Sequence, residues 1–280
     1  MDPIVLTEYT DPYSVWCWGA EPILRKLEYV YGPSIEVRVR MGGLFEDFSP
    51  MRENFNRMTA GHWEVAAHAF LTGVAGHHRM PTDVDAMMSA LQDFNSTWPG
   101  CIAVKAASLQ GEAAGKTYLR RLRLAVQVEG RAIHHRDVQE AVARESGLDV
   151  GKFREALESD EAVDTFRRDL AECRSENISG FPTFVFRGGA IAVRVDGFHP
   201  WEHFASVLTR LAPEARPREI AATEASAKEY LGRFGQSATR EIAEALGQTD
   251  DEAEILLEEL EAHGELIRFP GGTGLLWELK

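Results

Sequence analysis

The distribution of apolar residues predicts a strand, a helix and a second strand at the start of the chain. Residues 3–9 (PIVLTEY) form a short, largely apolar run that is typical of a buried strand. Apolar side chains then recur at spacings of three and four from Cys17 to Leu27, which predicts a helix. Residues 35–41 (IEVRVRM) alternate between apolar and polar, as half-exposed strands do. Because the connections are short, we expect a βαβ unit with parallel strands.

The next part of the chain is predicted to be helical throughout. Residues 54–176 carry apolar positions at helical spacings and show no convincing strand pattern. Strands return at 181–186 (FPTFVF) and 190–197 (AIAVRVDG), and the glycines at 188–189 predict a tight turn between them. Residues 199–212 are predicted to form the helix that closes this region.

The order of these elements predicts a mixed α/β domain with a large helical insertion, followed by a second, smaller domain. We assign residues 1–53 and 177–212 to the α/β domain and 54–176 to the insertion. Residues 213–219 (PEARPRE) are interpreted as a linker. Residues 220–280 contain three helical patterns and two short terminal runs separated by PGGTG, which is the order of a winged helix.

Charge argues against nucleic acid and anionic membranes as partners. The 280 residues carry a formal net charge of -14. From Arg216 onward there are seven basic and fourteen acidic side chains, and the predicted recognition helix at 250–263 has neither lysine nor arginine. Because duplex binding depends on phosphate neutralisation, we predict that the second domain binds protein or packs on the first domain.

Sequence signals also favour a cytoplasmic chain without membrane spans or metal. The N-terminus lacks the basic and apolar segments of a secretory signal, and no apolar run approaches 20 residues. The histidine pairs 77–78 and 134–135 would point in different directions on a helix, so no metal ligands are predicted. The cysteines are too few and scattered for a disulfide framework: Cys17, Cys101 and Cys173.

One segment, DPYSVWCWGAEP at 11–22, places Ser14 three residues before Cys17 at the start of the first predicted helix. The order βαβ followed by ββα is that of the thioredoxin fold. With MGGL (41–44), ESGLDVGKFREAL (145–157) and SGFPTFVF (179–186), the segment resembles the DsbA/FrnE-like group of the thioredoxin superfamily. The resemblance is strongest to the cytoplasmic, YjbH/SpxH-type branch, and it covers about residues 1–212.

The resemblance implies a Cys-x-x-Cys motif whose first cysteine is the nucleophile, with a pKa lowered by the helix N-terminus. The second cysteine resolves mixed disulfides. Here Ser14 holds the first position and Cys17 the second. We therefore expect a protein like a DsbA-family thiol-disulfide oxidoreductase or isomerase, acting on protein thiols or peptides, with weak or absent redox activity.

Three interpretations of Ser14 stay open. It is an engineered replacement for the nucleophile of an otherwise normal oxidoreductase, or it marks a natural loss that leaves a protein-binding module, such as the protease adapters of YjbH type. Alternatively, its hydroxyl binds the thiolate of glutathione, as the serine of kappa-class glutathione transferases and chromene-carboxylate isomerases does; no other cofactor is implied. The structural alternatives are a helix cap worth ~1 kcal/mol at Ser14 and a small buried apolar residue at Cys17.

The second half of the implied site lies at Phe181 and Pro182. The resemblance implies a cis peptide bond there, facing Ser14, with the Phe181 backbone free to pair with an extended peptide or glutathione; the alternative is a trans proline on an edge strand. Trp16 is assigned to the site wall and Trp18 to the packed interior. Glutathione would need cationic partners, whereas the basic residues near the motifs are predicted to face solvent: Arg25, Lys26, Arg38 and Arg40.

Overall fold

The structure is a computed structural model that describes residues 3–280. Its first sheet has four strands in the order β2-β1-β3-β4. The predicted βαβ unit and hairpin are confirmed, because β2 lies parallel to β1 whereas β3 and β4 are antiparallel. The elements of this domain are β1 (Ile4–Thr10), α1 (Val15–Tyr31), β2 (Ile35–Met41), β3 (Thr183–Gly188), β4 (Ile191–Asp196) and α10 (Trp201–Leu211).

Eight helices connect β2 to β3, and the described residues between these strands include no strand. They are α2 (Ser49–Met58), α3 (Trp63–His78), α4 (Val84–Ala90), α5 (Trp98–Ser108), α6 (Glu112–Gln127), α7 (Arg136–Glu145), α8 (Val150–Glu158) and α9 (Asp160–Ser175). The first helix begins five residues before the predicted boundary at 54. Pro50 lies in its first turn, where an amide has no partner inside the helix, so the proline starts the helix without loss of a hydrogen bond.

The C-terminal part contains three helices and a three-stranded sheet with the order β5-β7-β6. This arrangement is compatible with the small winged-helix-like domain predicted from the sequence. The prediction missed β5, whose two residues are too short to give a pattern. The elements are α11 (Glu224–Phe234), β5 (Ser237–Ala238), α12 (Thr239–Leu246), α13 (Asp250–Ala262), β6 (Leu266–Gly271) and β7 (Gly274–Leu279).

The C-terminal elements pack against α1, and one hydrophobic core runs through both parts. Tyr29 of α1 meets Tyr230 of α11 edge to face, with ring centroids 5.3 Å apart. Arg25 lies 3.3 Å from a carboxylate oxygen of Glu241, and it is buried. The prediction that Arg25 and Lys26 face solvent is therefore wrong, since Lys26 is also mostly buried and forms an ion pair across the same contact.

A buried ionic cluster lies under this contact. Arg123 of α6 is ion-paired with Glu21 of α1 and, at 3.0 Å, with Glu8 of β1. Arg120 reaches Glu241 of α12 at 2.7 Å. Burial raises the pKa of Glu8, and Arg123 opposes this rise only in part. Burial also acts to raise the pKa of Glu21, but Arg123 and Arg120 outweigh it, and the net pKa is lowered. The cluster joins four elements from both domains.

His78, at the end of α3, makes the stability of the fold depend on pH. Its ring is buried, and Nδ1 accepts a hydrogen bond from the Met80 amide at 3.0 Å. Burial, and next the charge of His77, lower its pKa to about 4. The unfolded chain binds the proton near the ordinary pKa of about 6.5, so stability falls as pH drops from there towards 4. We expect a loss of about 2 kcal/mol between pH 7 and pH 5.

Urea unfolding at both pH values checks this expectation. The His78→Asn variant keeps an acceptor for the Met80 amide, because an asparagine oxygen can take the place of Nδ1, but it cannot titrate. It should lose most of the pH dependence. His62→Asn, at an exposed position, is the matched control and should keep the wild-type slope. Equal slopes in wild type and His78→Asn would show that His78 does not cause the effect.

Candidate functional site

Ser14 is the N-cap residue of α1. Its hydroxyl oxygen accepts a hydrogen bond from the Cys17 amide at 3.2 Å, and its carbonyl accepts one from the Trp18 amide at 3.0 Å. A hydroxyl at this position satisfies an amide that the helix itself leaves without a partner. Ser14 caps the helix and also lines a cleft large enough for a ligand. A helix N-terminus favours an anion at this point.

Cys17 lies beneath Ser14 on the inward face of α1 and is fully buried. Burial raises the pKa of its thiol to about 12, although the charge of Arg123 opposes the rise. The thiol is therefore protonated at neutral pH, and a thiol is a far weaker nucleophile than a thiolate. Cys17 has the properties of a small buried apolar residue, and it has no cysteine at position 14 with which to form a disulfide.

The other two cysteines do not complete a redox pair. Cys101 is buried and donates its S–H to the Asp11 carboxylate at 3.3 Å. Burial and the adjacent Asp11 charge raise its pKa. Cys173 is also buried, and burial raises its pKa to about 11. All three cysteines are free thiols, so the chain has no reactive thiolate among them at neutral pH.

Phe181 and Ser14 line the same cleft, as the site assignment requires. The Phe181–Pro182 peptide bond is cis, and Pro182 is buried behind Phe181. The Phe181 ring packs directly over Gly42, where a Cβ atom would come within 1.9 Å of the ring. The MGGL segment thus has a structural role, because the missing side chain of Gly42 leaves room for the Phe181 ring that lines the cleft.

The cleft itself has a volume of about 320 Å³. It lies between the start of α1, the segment after β2, and helices α2 to α4 of the insertion. Its lining residues share a lack of charge, and most are aromatic or aliphatic: Tyr13, Ser14, Val15, Trp16, Leu44, Phe45, Phe48, Met51, Phe55, Trp63, Ala67, Phe70, Leu71, Met87, Leu91, Phe94 and Phe181. A surface of this kind suits an apolar side chain or segment of a partner.

The two tryptophans that flank Cys17 have separate positions. Trp18 is fully buried and donates its indole N–H to the Pro81 carbonyl at 2.9 Å, as its assignment to the interior predicts. Trp16 is half-buried and lines the cleft, with its ring 5.5 Å from that of His77 and 5.8 Å from that of Phe198. Trp16 therefore forms part of the cleft wall.

The cleft offers no ionic partner for glutathione among the described residues. Glutathione carries two carboxylates and an ammonium group, which need charged or multiple polar partners when they are removed from water. Arg38 is ion-paired with Glu36 at 2.7 Å, and Arg40 with Glu172 at 2.8 Å, on the strand β2. Neither arginine lines the cleft.

The sequence interpretation missed the contribution of the insertion to the site. Helices α2 and α3 supply a large share of the cleft wall, including Trp63 and Phe70. The sequence did contain a sign of this, because the apolar residues of α3 lie around more than one face of the helix. In the structure, two of them, Val65 and Phe70, are 62% and 50% exposed. An amphipathic helix that packs only on its own core needs no apolar residue on the outer face.

The reason for excluding the pair His134 and His135 as ligands does not hold. These residues precede α7 in a turn instead of lying on a helix. The Nε2 atoms of both rings reach the carboxylate of Asp93. A turn, unlike a helix, can direct two neighbouring side chains to one point.

Comparison with known proteins agrees with the fold. A thioredoxin family model matches residues 8–205, and the chain belongs to this thioredoxin family. No helix of the described residues combines the length and apolar character that crossing a bilayer requires.

Relatives with known roles include adapters and oxidoreductases. The chain is 28% identical to the ClpXP adapter protein SpxH of Halalkalibacterium halodurans, over 98% of this chain and 88% of the relative. It resembles the structure of the cytosolic disulfide reductase DsbM from Pseudomonas aeruginosa (25% identity, TM-score 0.58, 74% of this chain and 100% of that one). It shares the fold of a probable DsbA oxidoreductase from Streptomyces coelicolor (19% identity, TM-score 0.60, 78% and 94% covered). The chain thus belongs to the thioredoxin family and has a DsbA-like fold.

Proposed function

We propose that the protein is a non-enzymatic adapter that binds a protein partner and delivers it to the ClpXP protease. The observation that carries the proposal is the state of the motif: Ser14 cannot form a disulfide, and the Cys17 thiol is buried with its pKa raised to about 12. The two-thiol cycle of an oxidoreductase needs an accessible thiolate, which this site does not provide.

The extent of the relationship supports the adapter role over the redox role. The similarity to SpxH runs through the C-terminal part as well as the thioredoxin domain, covering 98% of this chain. The disulfide reductase DsbM matches 74% of the chain. A cytoplasmic location fits this role, since SpxH is named as an adapter of ClpXP and DsbM is named as cytosolic.

The apolar cleft is the surface that we assign to the partner. Phe70 of α3 lines the cleft and is 50% exposed, and Met58 at the end of α2 is 69% exposed. Contiguous apolar surface of this kind marks protein interaction sites more often than isolated exposed residues do. Its lack of charge favours an apolar segment of a protein over a small anionic substrate such as glutathione.

A degradation assay tests the proposal. Protein half-lives are compared in cells with and without the chain, and a protein stabilised by its loss is purified and incubated with ClpXP. We expect the chain to accelerate degradation, and Phe70→Asp to reduce the acceleration by about tenfold or more, since an acidic group in an apolar contact costs more than 1.4 kcal/mol.

The matched control is Ile191→Asp on β4, which makes the same chemical change at a site with 58% exposure outside the cleft. It should retain full activity. The proposal is wrong if no protein's lifetime depends on the chain, and the cleft assignment is wrong if both variants behave alike.

A further inference from the structure

Three potential metal ligands converge at one point outside the motif. Asp93 follows α4, and His134 and His135 lie in the turn before α7. The His134 Nε2 atom is 2.9 Å from Oδ1 of Asp93, and the His135 Nε2 atom is 2.7 Å from Oδ2. The three ligand atoms, one from each residue, all lie within 4.8 Å of one another.

A neighbouring hydroxyl orients one of the imidazoles. The Tyr13 hydroxyl is 2.7 Å from Nδ1 of His134, and the His134 side chain is only 10% exposed. Metal-binding histidines commonly use their second ring nitrogen in such an outer hydrogen bond, which fixes the ring and its tautomer. A metal on Nε2 requires the proton on Nδ1, from which it is donated to the Tyr13 oxygen. His135 and Asp93 remain open to solvent, with exposures of 44% and 64%.

We infer that Asp93, His134 and His135 form a binding site for a divalent transition-metal ion of the zinc class. Two imidazole nitrogens and one carboxylate oxygen are borderline ligands that suit Zn²⁺ and Co²⁺ better than Mg²⁺ or Ca²⁺. Three protein ligands leave the fourth tetrahedral position to water or to a donor from a bound molecule.

The spacing of the ligand atoms must adjust to accept the ion. Metal–ligand distances of about 2.0–2.2 Å place tetrahedral ligand atoms about 3.3 Å apart. The Nε2–carboxylate distances of 2.7 and 2.9 Å must therefore lengthen slightly. Rotation of the exposed Asp93 and His135 side chains supplies this change while Tyr13 holds His134 in place.

The site stands behind one wall of the apolar cleft. Tyr13 and Phe94 both line the cleft, and their ring centroids are 4.7 Å apart. A bound ion would join the segment containing Asp93 to the turn containing His134 and His135, directly behind these two rings. The inference does not depend on the adapter role, because none of the three ligands lines the cleft.

Metal titration of the intact chain tests the site. The purified protein is stripped with a chelator, and Zn²⁺ binding is measured in competition with a chromophoric chelator. Co²⁺ is added in parallel and followed by its visible absorption, which is intense for four-coordinate sites. We expect one ion per chain, and an affinity reduced by about tenfold or more in His135→Gln and in Asp93→Asn.

Two further variants distinguish binding at this site from non-specific metal binding by surface histidines. Tyr13→Phe keeps the ring but removes the outer hydrogen bond, and it should weaken binding by about tenfold. His203→Gln changes an exposed histidine that stacks on His199 at 4.4 Å, and it should bind as tightly as wild type. Metal-free melting temperatures verify that each variant is folded, and Zn²⁺ should raise the melting temperature of wild type but not of His135→Gln.

The inference is overturned if wild type binds neither ion, or if it binds no more tightly than His135→Gln and Asp93→Asn. It is equally overturned if His203→Gln lowers the affinity as much as His135→Gln does. Failure here leaves the adapter proposal intact, since the degradation assay has its own variants and readout.

Discussion

Replacing Ser14 with cysteine should raise the rate of insulin reduction by dithiothreitol at least about tenfold above that of wild type, which we expect to lie at background. The sulfur of a cysteine at the N-cap would accept the hydrogen bond that the Cys17 amide now donates to the Ser14 hydroxyl. Together with the helix dipole, this bond stabilises a thiolate. Ser14 lines the cleft but is only 5% exposed, so activity requires a substrate to enter the cleft and reach a largely buried sulfur. Cys17, which is buried with its pKa raised to about 12, fits the role of resolving thiol.

The double variant Ser14→Cys/Cys17→Ala is the control. It should attack a disulfide substrate but retain it as a mixed disulfide, because the motif then has no second thiol to release it. Ser14→Ala should lower stability by about 1 kcal/mol through the lost cap and leave activity at background. Substantial reductase activity in wild type would contradict our account of the motif, since a buried thiol would then be attacking directly. No gain in Ser14→Cys would show that the cleft excludes disulfide substrates.

Removing the buried cation at Arg123 should lower the free energy of unfolding by about 3–5 kcal/mol. The Arg123 side chain is 1% exposed and is ion-paired with Glu8 and Glu21. Arg123→Met preserves most of the volume, but leaves Glu8 without its cation in a buried environment. The loss should shrink as pH falls, because protonated carboxyl groups need no counter-ion. Urea unfolding at pH 7 and pH 5 measures both effects.

Arg121 on the same helix provides the matched control. Its side chain is 23% exposed and pairs with Glu129 and Glu145 nearer the surface. Arg121→Met should cost no more than about 1 kcal/mol, as is usual for accessible ion pairs. Similar losses of unfolding free energy in the two variants would show that the buried cluster contributes no more to stability than accessible ion pairs do. Arg123→Met/Glu8→Gln should recover part of the loss, since it removes the carboxylate left without a partner.

The acidic C-terminal part shows how far charge reasoning reaches. Its excess of acidic over basic residues argued against nucleic acid and predicted that it binds protein or packs on the first domain. The structure bears out the packing, with α12 against α1 and a common core. Arg25 and Lys26 were nevertheless assigned to solvent, because a helix in isolation shows one apolar face and one polar face. Their burial depends on Glu241 and Glu244, more than two hundred residues further along the chain.

The sequence by itself determined the local elements and the chemistry that the motif cannot perform. Periodicity indicated the βαβ unit, the helical insertion and the hairpin, because periods of 2 and about 3.6 reflect which face of each element is buried. The sequence alone also excluded a disulfide within the motif, because Ser14 stands where the nucleophilic cysteine would be. These properties depend on residues close together in the chain, so a pattern over about ten to fifteen positions is enough to predict them.

Only the tertiary structure decided where the site walls lie and which charges are buried. The cleft joins Ser14 to Phe181 and to insertion residues such as Trp63, and the ionic cluster joins Glu8 to Arg123. Asp93 meets His134 and His135 across about forty residues in the same way. Contacts between distant segments follow from how helices pack in three dimensions, and the periodicity of one segment contains no information about its partner.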